Sequence, residues 1–154
     1  MNKSKQEMLQ HQLRSIEYVE SLRTVSEERW RTQILGGNWT VAEIIGHFAP
    51  WDEFVLHKRL PYIFTEHTLP KGPDAESTNE KSATISREQD KQVTIDHFVS
   101  LRKALYKAID EIPDDRWEGE FSIGKTTLSL YEYFKGLAQH DLHHFEQIEN
   151  SLCK

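Results

Sequence analysis

Four stretches of this 154-residue chain repeat apolar side chains every three or four positions, a period that commits the chain to packed helices. The first runs from about Lys5 to Trp30 and carries Leu9, Leu13, Ile16, Val19 and Leu22. Gly36-Gly37-Asn38 follows as a turn signal. The second opens at Thr40-Val41-Ala42-Glu43, a capping box in which the Thr and Glu side chains reciprocally satisfy free backbone N–H groups. It continues through Ile44, Ile45, Phe48, Trp51 and Val55 to about Leu60, and Pro50 predicts a kink one turn after His47. A third helix follows Ser86-Arg87-Glu88-Gln89, another capping pattern, and carries Ile95, Phe98, Leu101, Leu105, Ile109 and Ile112 until Pro113 stops it. The fourth is capped by Ser129-Leu130-Tyr131-Glu132 and extends to about Leu152.

Two segments lie outside this pattern. Residues 61–86 hold Pro61, Pro70, Gly72 and Pro73 and show no sustained period, so they read as a long crossover, with a functional lid as the other reading. Residues 117–127, with Phe121, Ile123 and a Gly124-Lys125 turn, leave room for one short strand. The expected fold class is all-α: a four-helix bundle, residues 1–154 forming one domain, with a long crossover between helices 2 and 3. A chain of this length buries about two-thirds of its unfolded surface, enough for a core of its own.

Composition excludes several functions. The formal charge is −6 and no run of Lys or Arg makes a basic face, so nucleic acid is not the expected partner. Nowhere do eighteen apolar residues run together, and no membrane span is encoded. The opening MNKSKQEMLQHQL lacks the apolar centre of a secretory signal. A lone cysteine, Cys153, forms no internal disulfide and agrees with a reducing, cytoplasmic location, where it reads as a bystander.

The eight histidines are sorted by direction. At about 100° per residue, His144 lies roughly 80° and His140 roughly 120° from the centre of the fourth helix's apolar arc, on the same side. His143 points away from that arc, into solvent. His140 and His144, spaced i and i+4, converge on one point, the spacing with which helices commonly hold two metal ligands. On the second helix His47 also flanks the apolar arc, roughly 90° from its centre. All three then sit where core meets surface, where a metal keeps positions open for water or substrate. A histidine at the edge of a core also serves as an ordinary structural side chain, and both readings stand on spacing alone. Asp141 points into the apolar arc, as a buried hydrogen-bond partner of a neighbouring helix or as the group that orients a site imidazole. Glu43 is accounted for by its cap. Glu-x-x-His and His-Glu-x-x-His are both missing, which argues against a ferritin-like di-iron bundle and a zinc-protease helix.

Trp39-Thr40-Val41-Ala42-Glu43-Ile44-Ile45-Gly46-His47 resembles the first signature of the DinB/YfiT-like superfamily. The stretch His140-Asp141-Leu142-His143-His144-Phe145-Glu146-Gln147-Ile148 resembles its second, a helix bearing His-x-x-x-His and then Gln-Ile. Helix order and length agree over nearly the whole chain. The resemblance implies a four-helix bundle binding one divalent metal ion, with the ligands carried over to His47, His140 and His144. Imidazoles leave the metal open among Zn, Ni, Fe and Mn. It further implies a homodimer and a metal-dependent S-transferase that joins a low-molecular-weight thiol of the bacillithiol type to an electrophilic small molecule. A metal-dependent hydrolase and a non-enzymatic metal-binding or stress-response protein are the alternatives. Catalytic residues beyond the ligands are unassigned; Lys71, Lys81 and Lys125 are candidates for pairing substrate carboxylates, with a solvated surface role as the plainer reading.

Overall fold

A computed structural model describes residues 2–65, 68–69 and 71–153. Four long helices make the bundle: α1 (Lys3–Ser21), α3 (Val41–Phe54), α5 (Lys91–Asp110) and α6 (Leu130–Leu152). Two further helices, α2 (Glu27–Trp30) and α4 (Ala75–Glu88), lie in the connections. Helix α1 packs on α5 and α6, α5 packs on α3, and α4 covers the other side of α3.

The first helix is shorter than its period predicts. It ends at Ser21, passes through a 3-10 turn at Leu22–Thr24, and restarts as α2 when the Ser26 side chain accepts from Arg29 N at 3.1 Å. Leu22 and Trp30 stay in the core on both sides of the break, which is why the apolar spacing runs on across it. The capping box at Thr40 forms as expected: Thr40 N donates to Glu43 Oε1 at 3.1 Å, and Glu43 N donates to Thr40 Oγ1 at 3.2 Å. Helix α3 runs through Pro50 and gives way to a π-helical turn at Val55–Arg59, in which Leu60 N donates to Val55 O at 2.9 Å. The wider turn keeps Val55 and Arg59 together on the buried side.

The crossover between the bundle's second and third helices is long, but it is not irregular throughout, because α4 occupies its second half. Ser86-Arg87-Glu88-Gln89 is accordingly the end of α4 and not the cap of the next helix. Ser86 Oγ donates to Ser82 O at 2.9 Å, and the cap of α5 is Asp90, which accepts from Gln92 N at 3.0 Å. Arg31 closes the end of α4 by donating to Ser86 O and Gln89 O, each at 2.7 Å. In place of one strand there are three: β1 (Thr68–Leu69) pairs parallel with β2 (Glu120–Ile123), which pairs antiparallel with β3 (Thr126–Ser129). Gly124, with φ +58, leads the two-residue turn between β2 and β3, where positive φ is required. Pro70 lies outside the described residues.

Along all four bundle helices the apolar core is interrupted at the same level. One cluster gathers Val19, Ile45, Phe48, Phe98 and Ile148; the other gathers Met8, Val55, Leu105, Leu130 and Phe134. Between them stand Gln12 and Ser15 on α1, Asp52 on α3, Arg102 on α5 and Asp141 on α6, all buried. Among the described residues no helix is long and apolar enough to cross a membrane.

Gly46 marks the closest approach of α3 and α4. A Cβ added there would lie 1.7 Å from Ser86 Oγ and 2.9 Å from Ser86 Cβ. Gly46→Ala is expected to cost about 1–3 kcal/mol by overpacking, read from urea melts. Adding Ser86→Ala should recover only part of that loss, because the clash with the Ser86 Cβ position remains.

Candidate metal centre

The structure brings His47, His140 and His144 together. Each offers one ring nitrogen, and these atoms lie within 4.8 Å of one another. His47 comes from the second turn of α3, positioned by the Thr40 cap, and the other two face it from α6, one turn apart. The His47 ring is 5.7 Å from that of His140 and 4.7 Å from that of His144, edge to face in both pairs. Trp39 also packs on it, with ring centroids 5.1 Å apart, which gives the tryptophan of the first signature a role as backing for His47. His47 is buried, His144 half-buried and His140 exposed, so the cluster opens from core to surface. His143 is exposed and stands outside it, as its direction on the helix predicts.

Two of the three imidazoles are held in a defined orientation. His47 Nδ1 hydrogen-bonds Ile44 O, and His144 Nδ1 donates to Gln147 Oε1 at 2.8 Å. Both therefore turn Nε2 toward the cluster, the arrangement by which an outer partner fixes the tautomer of a ligating histidine. Gln147 is the glutamine of the second signature, where spacing alone gave it no role. Nε2 of His144 lies 3.1 Å from Nε2 of His140. Two nitrogens bound to one ion at ordinary Zn–N lengths stand about 3.0–3.4 Å apart, so the pair is already at ligand spacing. Burial lowers the pKa of all three, that of His47 from 6.5 to about 4, and keeps the rings neutral, the form that binds a metal. The residues present fit a divalent ion.

Asp141 does not orient a site imidazole. It accepts from Arg102 Nη1 at 2.6 Å and Nη2 at 3.1 Å, and it pairs with His11 Nε2 at 2.8 Å. Arg102 also donates from Nε to Asp52 Oδ2 at 2.8 Å and from Nη2 to Asp52 Oδ1 at 3.3 Å. One guanidinium thus serves two buried carboxylates. Burial raises both; on Asp141 the charge of Arg102 and the bond from His11 outweigh it and leave a pKa of about 2, whereas Asp52 is pushed up to about 6. Glu43 is tied to its cap and to Arg87 at 3.1 Å, away from the cluster. Lys71, Lys81 and Lys125 are exposed.

Beside the histidines lies a cavity of about 470 Å³. His47, His140, Asp52 and Arg102 form its polar side, Phe48, Trp51 and Phe134 are among its apolar walls, and Gly72, Pro73 and Asn79 of the crossover close it. Asn79 is held there by Trp51 Nε1, which donates to Asn79 Oδ1 at 2.9 Å. Asp52 and Arg102 are site residues that sequence reasoning missed. Both occupy apolar positions of their helices, Asp52 between Phe48 and Val55 and Arg102 between Phe98 and Leu105.

The chain belongs to the DinB superfamily, whose sequence profile matches residues 9–148. Among solved structures it superposes on YfiT from Bacillus subtilis, described as a probable metal-dependent hydrolase with an unusual four-helix bundle topology. That match has a TM-score of 0.79 at 18% identity and covers 97% of this chain and 87% of YfiT. A mycothiol-dependent maleylpyruvate isomerase matches with a TM-score of 0.70 at 16% identity, over 94% of this chain and 60% of the isomerase. No curated protein matches the chain significantly.

Two consequences are open to measurement. Folding lowers the His47 pKa, so the metal-free native state takes up a proton less readily than the unfolded chain. Its stability should be full above pH 6.5 and fall as the pH drops toward 4, by an amount on the order of 3 kcal/mol, with His47→Gln flattening that slope in urea melts. Arg102→Met strands two buried carboxylates and should cost about 3–5 kcal/mol at neutral pH, measured the same way.

Proposed function

We propose that this protein is a metal-dependent enzyme acting on a small molecule held in the cavity beside the three histidines. The observation that carries the reading is the convergence of three imidazoles, two of them held in orientation, on one point beside that cavity. His47, His140 and His144 are the proposed ligands of one divalent ion. A tri-imidazole site leaves the ion its full +2 charge and free coordination positions, so the chemistry it supplies is acidification of a bound water or thiol.

The chain's own residues do the rest. Ile44 O and Gln147 Oε1 hold two rings in the tautomer that leaves Nε2 bare. Phe48 backs the two rings of α6, with centroids 6.3 Å from His140 and 5.8 Å from His144, and keeps water from that side. Trp51, Phe54 and Phe134 surround the body of the substrate. The first reaction proposed is transfer of a low-molecular-weight thiol, of the bacillithiol type, to an electrophilic substrate. The likeness to a mycothiol-dependent isomerase supports this reading. Hydrolysis is the second reading, favoured by the likeness to YfiT over most of both chains.

Purified protein is expected to bind about one equivalent of Zn, Ni, Fe or Mn, measured by elemental analysis after reloading. The His140→Ala/His144→Ala double variant should retain none at the same free metal concentration. Wild-type protein that takes up no added metal would sink the proposal. Conjugation of bacillithiol to a chlorinated aromatic, set against ester hydrolysis by the same preparation, separates the two reactions. His47→Ala should abolish whichever one is present.

A further inference from the structure

Among the described residues Arg59 is a buried cation without a counter-ion. It is 5% exposed, and its Nε and Nη1 are buried with no hydrogen-bond partner. Its guanidinium carbon lies 4.9 Å from the centroid of the Phe54 ring, a contact that leaves those N–H groups unsatisfied. An arginine cannot shed its charge, and burying one unpaired is unfavourable. Arg102 shows the contrast within the same cavity, since two carboxylates answer its N–H donors. Arg59 lines that cavity too, beside Tyr133, and it sits there because the π-helical turn at Val55–Arg59 directs it inward. Arg59 thus stands at a cavity wall with N–H groups that no acceptor answers, and a carboxylate is the acceptor that also neutralises the charge.

We propose that Arg59 is the anion-binding group of the cavity and holds a carboxylate of an elongated, largely apolar small molecule whose opposite end reaches the three histidines. His47 and Arg59 are twelve positions apart, about three helical turns along α3 and the π-helical turn that follows it, so the two anchors suit an elongated ligand. Trp51, Phe54, Val55 and Leu105 line the space between them and favour an apolar body. The placing of the reactive end rests on the metal-enzyme reading; the carboxylate contact at Arg59 does not.

The probe is 4-phenylbutyrate compared with its neutral amide, titrated by calorimetry into the full chain kept metal-free with EDTA, so that no metal competes for the carboxylate. Wild-type protein should bind the acid at least tenfold more tightly than the amide. Arg59→Gln should erase that preference, and Arg59→Lys should keep part of it, since it retains charge without the guanidinium fork. The His140→Ala/His144→Ala variant should keep all of it, which separates this test from failure of the metal site. Thermal melts supply the second readout: Arg59→Gln should melt no lower than wild type, because it removes an unpaired charge, and the acid should raise Tm only where Arg59 is present. Equal binding of acid and amide to the wild type, or no binding of either at millimolar concentration, overturns the proposal. So does an unchanged preference for the acid in Arg59→Gln, and so does loss of that preference in the His140→Ala/His144→Ala variant.

Discussion

The bundle is organised around Arg102. Its guanidinium reaches Asp52 on α3 and Asp141 on α6, and Asp141 in turn reaches His11 on α1, so one connected set of polar side chains ties all four bundle helices at a single level. Phe98 and Phe48 pack on the guanidinium, 4.7 Å and 5.3 Å from ring centroid to its carbon. Buried ion pairs contribute little net stability against an apolar alternative, but they penalise any arrangement that breaks them. Sliding a helix by one turn would strand at least one charge in the core. The layer therefore specifies register more than it adds stability, and register is what a three-residue site drawn from two helices requires.

The metal-ligand candidates stand immediately beside this layer. His140 precedes Asp141 on α6, and His47 lies five residues before Asp52 on α3. Fixing Asp52 and Asp141 on one guanidinium fixes how α3 faces α6, and with it the separation of the two sets of imidazoles. The cavity inherits the same placement, with Asp52 and Arg102 on its polar side. Histidine cluster, cavity and helix register are three outcomes of one interaction.

Much of this was legible in the sequence, for reasons that can be named. The four bundle helices announce themselves through large apolar residues at helical spacing, and the boxes at Thr40 and Ser129 appear as written. Direction on the helix separated His143 from His140 and His144 because all three share one rigid element. Helix α4 was illegible because its buried face is made of Ser82, Ala83 and Ser86, small residues that pack closely without leaving an apolar period. The strand β1 is two residues long and gains its meaning only from its parallel partner. Asp141 was recognisably misplaced for a carboxylate, but its partners lie 39 and 130 residues away in sequence and no local pattern names them. Asp52, Arg59 and Arg102 could have been found by the same test, since each is a charge standing in an apolar register of its helix.

The contact between Gly46 and Ser86 ties α4 to the helix that carries His47, yet the residues that close the cavity, from Gly72 to Asn79, lie in the approach to α4 and its first turns. The three histidines and the charged layer sit on the bundle; that wall sits on a connection. The layer that sets the bundle's register draws on no residue of the connection, whereas a shift of α3 moves both His47 and the wall packed beside it. The architecture thereby separates the histidine cluster from the wall that faces it: one stretch of chain can be rewritten while the three imidazoles keep their places.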